Sequence, residues 1–234
     1  MAGIDFEPNS ASNTIDGVQI SSCKILRNAG AGVQFSLHAL TKDTKPLGVA
    51  FADTLIVSPL SVCTPGAPGC YTSKPYYRWG ILVEGAGATL PAGVINFSST
   101  TVIDTGHWSS PPVWVEKPYS SQSAALQANF DNLTINMTRG GPAIAISAVA
   151  PSSGGVNIRG VTVNRQCCPG GGAFLTAEDN GQNKLFAVSV SDARVIVNSS
   201  DDAAAAAAEC NATISADAAS NNVVVSAVTC VRAA

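Results

Sequence analysis

The chain has 234 residues, 46% hydrophobic and 12% charged, with a formal net charge of -3. That is enough apolar material for one sizeable core, so a single domain over residues 1-234 is expected. Its 13 Lys and Arg form no basic stripe, which argues against a nucleic-acid partner, and no apolar run is long enough for a membrane span.

In chain order, the first element is "GIDFEP", a short strand from Gly3 that Pro8 ends by removing a ladder donor. Six longer stretches then share one pattern: "GVQISSCKILRN" from Gly17, "GVAFADTLIVSP" from Gly48, "GVINFSSTTVID" from Gly93, "QANFDNLTINMT" from Gln127, "GVNIRGVTVNRQ" from Gly155 and "AVSVSDARVIVN" from Ala187. Each reads as two strands whose apolar residues alternate, as in Val18, Ile20, Cys23 and Ile25 or Val156, Ile158, Val161 and Val163. The alternation slips phase in the middle, and that slip marks a bend. A third strand follows in most units: "GVQFS" at Gly32, "GILVE" at Gly80, "PVWVE" at Pro112, "AIAIS" after Pro142 and "GAFLT" at Gly172. The opening "GIDFE" is the same strand of a preceding coil.

Most units are about 30 residues long, and the longer step from Gly32 to Gly80 holds an inserted loop over 58-78. One unit cannot bury its own apolar side, whereas stacked coils can. The pattern predicts an all-β chain, a right-handed parallel β-helix with three short strands per coil and about six coils. A β-sandwich would show hairpin turns and no equal three-strand period. The one helix-prone run, "DDAAAAAAEC" over 201-210, has no apolar stripe, and 201-234 reads as a terminal coil or cap. The segment after Met1 lacks the basic and apolar regions of a signal peptide. This abrupt start leads to the expectation that the chain is the C-terminal part of a longer helix.

Cysteine usage points to an exported protein, extracellular or at the cell surface. Cys63 and Cys70 can close a small loop, Cys210 and Cys230 can staple the C-terminal end, and Cys23 reads as a buried thiol. Glycosylation-type triplets begin at Asn96, Asn132, Asn136, Asn198 and Asn211. No zinc-type spacing exists, so no metal or cofactor is expected; calcium is the one ion that exposed carboxylates would suit.

The repeat in "GIDFEPN", "DGVQISSCKILRNAGAGVQFS" and "GGVNIRGVTVNR" resembles the pectin-lyase-like right-handed β-helix superfamily over roughly residues 3 to 200. The resemblance implies a groove along one outer sheet that binds an extended glycan. It matches no single enzyme family, because "NTIDG" over 13-17 only approximates the polygalacturonase motif.

Alternation in the third strand assigns the outward residues. One column reads Asp5, Gln34, Leu82, Trp114, Ala145 and Phe174, and the next reads Glu7, Ser36, Glu84, Glu116, Ser147 and Thr176. Glu84 and Glu116 fall on adjacent coils, about 5 Å apart by the ladder spacing. Glycosidases work with two carboxylates near this separation, and like charges raise one pKa, as a general acid requires. Glu84, Glu116, Glu7 and Asp5 are therefore the candidate catalytic residues. Trp114, Tyr77, Trp79 and Arg159 are the candidate glycan-binding residues, the aromatics by stacking on sugar rings. The plain alternative is a set of solvated glutamates paired with Lys24 or Lys117.

Asp104 with His107 forms a thinner acid/base candidate, and "CCPGGG" over 167-172 reads as a turn. A lyase or epimerase needs a base and clustered positive charge, yet Lys24, Arg159 and Arg194 fall on separated coils. The functional expectation is a glycoside hydrolase acting on an extended polysaccharide. The alternatives are a non-catalytic surface or glycan-binding β-helix and a polysaccharide lyase or epimerase.

Overall fold

The computed structural model describes residues 2–26, 28, 30–57, 79–84, 92–104, 111–116, 126–137, 141–147, 154–165, 174–178, 187–197, 214–216 and 223–232. Among these residues all regular structure is strand. Sheet A stacks β1 (Ile4–Phe6), β4 (Val33–Ser36), β7 (Ile81–Glu84), β10 (Val113–Glu116), β13 (Ile144–Ser147), β16 (Leu175–Glu178) and β18 (Ile214–Ala216) in that order, every pair parallel.

Sheet B has two flanks. One stacks β2 (Val18–Ser21), β5 (Leu47–Ala52), β8 (Gly93–Ser98), β11 (Leu126–Asp131) and β14 (Gly154–Arg159). The other stacks β3 (Lys24–Leu26), β6 (Leu55–Val57), β9 (Thr101–Asp104), β12 (Thr134–Met137) and β15 (Thr162–Arg165). The long strand β17 (Ala187–Val197) crosses both flanks, pairing with β14 and β15, and β19 (Val223–Arg232) pairs with it. This is a parallel β-helix with three strands per coil, as the repeat predicts. The coil count departs slightly from six; among the described residues sheet A holds seven strands.

The phase slip in the sequence is a backbone event. Between the two flanks, one residue per coil has a left-handed backbone: Ser22 (φ 53°), Asp53 (49°), Ser99 (47°), Asn132 (53°), Gly160 (64°), Asp192 (53°) and Ala227 (54°). That conformation disfavours most side chains by roughly 1–2 kcal/mol, and Gly, Asn and Asp tolerate it best. The ladder continues through the corner. Asp53 N–H donates to the Ser98 carbonyl at 3.1 Å, and Asn132 N–H to the Arg159 carbonyl at 2.8 Å. The next residue turns inward, and where it is Thr54 or Thr100 the buried hydroxyl donates to the carbonyl two residues back, at 3.1 and 3.3 Å. Cys23 holds the same slot. It is half-buried, less than expected, and its free thiol donates to the Ser21 carbonyl at 3.3 Å.

Inward residues stack by kind. The rings of Phe51 and Phe97 stack at 4.8 Å, and those of Phe97 and Phe130 at 5.5 Å, on consecutive rungs. Phe6 stacks on Phe35 at 4.6 Å from the opposite wall. Outward residues stack too. Asn157 donates to Asn129 (3.0 Å), and Asn129 donates to Asn96 (2.7 Å). On the other flank Asn164 donates to Asn136 (2.7 Å). Of the glycosylation-type triplets, Asn96 and Asn136 sit in these ladders, and Asn132 is an exposed bend residue.

One expected alignment is corrected. Thr176 pairs with Ala145 and Glu178 with Ser147, a shift of two residues from the expected columns. Phe174, expected outside, is 1% exposed and belongs to the core. The adjacent apolar pair Phe174–Leu175 gives no alternation to set the phase, and Leu175 takes the inward slot opposite Ile144. The inserted loop over 58-78, with Cys63, Cys70 and Tyr77, lies outside the described residues.

Phe97 has neighbours stacked on both sides and is 0% exposed, whereas Phe6 on the terminal strand is half-buried. Phe97→Ala is expected to lose about 3–5 kcal/mol of unfolding free energy, and Phe6→Ala clearly less. Denaturant titration checks this. Equal losses at the two positions would contradict a continuous stack.

Candidate functional site

The outer face of sheet A brings the two principal carboxylates together. Glu84 ends β7 and Glu116 ends β10, and the register pairs them directly. Both are outward because Val83 and Val115 fill the core beside them. Neighbouring rungs lie about 4.8 Å apart, so two like charges face each other on one sheet face.

A histidine completes the cluster. Outward alternation in β4 runs Gln34, Ser36 and on to His38, two residues past the strand end, while Leu37 turns into the core. The Leu37 N–H donates to the Glu84 carbonyl at 2.9 Å, tying this segment to the next rung. His38 Nε2 then lies 3.7 Å from Glu84 Oε1. His38 was not a sequence candidate. Its signal was the alternation carried beyond the apparent end of "GVQFS".

The electrostatics separate the two glutamates. Glu116 is half-buried, and desolvation pushes its carboxyl above the ordinary value. The Glu84 charge adds to that rise, and His38 opposes it. A carboxyl raised by burial beside a second carboxyl is an arrangement that acid/base chemistry uses.

The other sequence candidates divide. Asp5 and Glu7 are exposed at the end of the same face, and Asp5 pairs with Gln34 in register. Partial desolvation, then the Glu7 charge, raises the Asp5 carboxyl. They stand about two rungs from Glu84. By register Glu178 continues the Glu116 column one rung past Ser147, a position the shifted alignment had hidden.

Trp79 and Trp114 do come together, edge to face with ring centres 5.0 Å apart. Leu82, expected on the solvent face, is instead 1% exposed. It packs with Trp79, Ala31 and Trp114 in a small apolar cluster outside the main core. The indole of Trp79 covers the outward slot, and burying it against Leu82 removes apolar surface of both from water. Trp114 remains half-buried, with part of its ring at the surface.

Arg159 does not join this site. It lies on sheet B, where its Nε donates to Asp131 Oδ1 at 2.9 Å on the neighbouring rung. Lys24 is also on sheet B, away from the glutamates. Cys230 is disulfide-bonded. Cys63, Cys70, Cys210, Tyr77, His107 and Lys117 lie outside the described residues. Among the described residues no group of three or more His, Cys, Asp and Glu is placed to hold a metal, and no helix is long and apolar enough to cross a membrane.

No protein-family model matches the chain, and no curated protein or solved structure matches it.

Glu116 binds its proton more tightly folded than unfolded, so its contribution to stability is present at low pH and is lost as pH rises through its folded value. Glu116→Gln is therefore expected to stabilise the protein at pH 7 by about 0.2–1 kcal/mol, the scale of a like-charge cross-strand pair. The gain should vanish near pH 3, below the ordinary carboxyl value of about 4.3. Denaturant melts at the two pH values test this. A variant that is less stable than the parent at both would overturn the like-charge account.

Proposed function

We propose that the chain is a polysaccharide-active enzyme, a glycoside hydrolase that cleaves an extended glycan on the outer face of sheet A. The observation that carries this reading is the directly paired Glu84 and Glu116, with Glu116 raised by burial and by its partner. Adjacent rungs fit the carboxyl separation of about 5 to 5.5 Å used by retaining enzymes better than the wider inverting geometry. In this scheme Glu116 is the acid that protonates the leaving oxygen, and Glu84 is the nucleophile. Glu116 then takes a proton from water as the glycosyl–enzyme ester is hydrolysed. His38 stands beside this nucleophile, its Nε2 3.7 Å from Glu84 Oε1. The exposed part of Trp114, one column over, offers a ring for sugar stacking.

The three-strand coil supports a pectin-lyase-like assignment, in which glycan-active members use one outer sheet. A disulfide at Cys230 goes with export to the cell surface or beyond. One observation favours a non-catalytic glycan-binding surface instead: Trp79 and Leu82 are packed against each other, so the aromatic column is only partly open to a ligand. The lyase or epimerase alternative gains nothing from Arg159, which lies on sheet B and pairs with Asp131.

Turnover on a panel of extended glycans, followed by reducing-end release, tests the reading. Glu84→Gln and Glu116→Gln are each expected to lower activity by about 10²-fold or more. The basic limb of the pH profile should follow Glu116, with activity falling as it ionises. Asp5→Asn, two rungs away, should leave the rate nearly unchanged. Full activity in both glutamine variants would sink the assignment, and an unsaturated, ultraviolet-absorbing product would move it to the lyase alternative.

A further inference from the structure

The two axial ends of sheet B carry matching open rungs. Among the described residues, β19 is the outermost strand at one end, and β2 and β3 are outermost at the other. Inward residues one rung in are sealed: Val190 and Ala193 on β17 are each 1% exposed. Their partners on β19 are not, since Val225 is 41% exposed and Val228 is half-buried. The other end repeats this. Val18 and Ile20 are half-buried, while their partners Val49 and Phe51 belong to the sealed core. Of the large hydrophobics exposed among the described residues, Leu26, Val224 and Val225 lie on these end rungs, and Val94 does not. From Val223 to Val231 the strand β19 carries no charge and no proline, the devices that keep an edge from pairing.

We infer that these ends dock on each other, β19 of one copy of this chain pairing in parallel with β2 and β3 of a second copy. The bends decide the register. β19 turns at Ala227 (φ 54°), and the β2–β3 rung turns at Ser22 (φ 53°). With those corners aligned, Val223, Val225, Val228 and Cys230 lie opposite Val18, Ile20, Cys23 and Ile25, inward residues against inward residues. Leu26 then meets Val231, and Lys24 meets Thr229, so no like charges face each other in sheet B. Sheet A agrees, because Ile214 and Ala216 on β18 have the inward phase of Ile4 and Phe6 on β1. Two β19 edges do not fit each other in this way. Their pairing is antiparallel, and aligning the corners sets inward Val225 opposite outward Thr229. The docked contact joins two different surfaces and runs along the helix axis, so it builds an open linear series and not a ring. The inference does not depend on hydrolysis at Glu84 and Glu116.

Sedimentation velocity of the whole chain over a wide concentration range tests it. Species larger than one chain are expected, and they should lengthen with concentration. Val225→Lys puts an unpaired charge into the contact and should weaken association about tenfold or more, and Ile20→Lys should do the same from the other end. Each variant keeps one sound end, so mixing the two is expected to restore dimers and nothing longer. A second measurement leaves the core untouched. Ser21 and Ser226 are exposed and fall opposite each other in the docked register, and adjacent rungs are within disulfide reach. A Ser21→Cys chain mixed with a Ser226→Cys chain should cross-link between those positions under mild oxidation, as read by peptide mapping, whereas Ser21→Cys with Thr229→Cys should not. Glu84→Gln should associate as the parent does, so loss of turnover and loss of association are separate results. The inference is overturned if the chain stays monomeric at every concentration, or if neither lysine variant weakens association. It is also overturned if Val225→Lys abolishes association while Ile20→Lys leaves it intact, which would pair two β19 edges. Failure of the mixed lysine variants to form dimers, or of the Ser21 and Ser226 positions to cross-link, overturns it as well.

Discussion

Each coil turns one corner with a single left-handed residue, and the placement of everything else follows from that corner. Ser22, Asp53, Ser99, Asn132, Gly160 and Asp192 occupy it in successive coils. The amides of Ser22, Asp53, Ser99, Asn132 and Gly160 bond to the next coil, so the ladder runs on from one flank of sheet B to the other. Because the corner recurs at the same point, each coil lands on the last without slipping. The non-glycine residues there are strained, and the inter-coil bonds offset the strain. At Gly160 an added Cβ would meet Asn132 Oδ1 at 2.5 Å, so the side chain of the neighbouring coil would have to swing aside.

Exact stacking has a chemical corollary. Residues far apart in sequence but equal in phase become nearest neighbours, and the fold is indifferent to whether they attract. Asp131 meets Arg159 and forms an ion pair. Glu84 meets Glu116 and repels it. A like-charge pair on a half-buried rung works against stability, and such local conflicts concentrate where a protein does chemistry. The histidine beside Glu84 lessens the conflict without removing it.

The inward residues and the bend were readable because alternation and its phase slip are properties of short stretches. The pairing of Glu84 with Glu116 followed from strands of equal phase in consecutive units. Other features depended on geometry that short stretches do not encode. His38 lies past the end of its strand, where the pattern had seemed to stop. Leu82 keeps outward parity but is covered by Trp79, which alternation alone cannot show. Phe174 and Leu175 are both apolar, so the phase of that strand was ambiguous and Thr176 was assigned to the column that Glu178 occupies. Arg159 was correctly read as outward. Its engagement with Asp131 depends on rung-to-rung register.

The row of Phe51, Phe97 and Phe130 makes the interior close to one-dimensional. Phe97 stacks between Phe51 and Phe130, and Phe35 meets Phe51 and Phe97 edge-on from the opposite wall. Stability in such an array is approximately a sum of coil terms and nearest-neighbour couplings, much like a chain of interacting spins. Order can then begin at any interior rung and spread both ways. The outermost coils have a partner on one side only, and they open first. A lesion in the middle does not merely subtract a contact; it divides one cooperative unit into two shorter ones, each with a fraying end of its own.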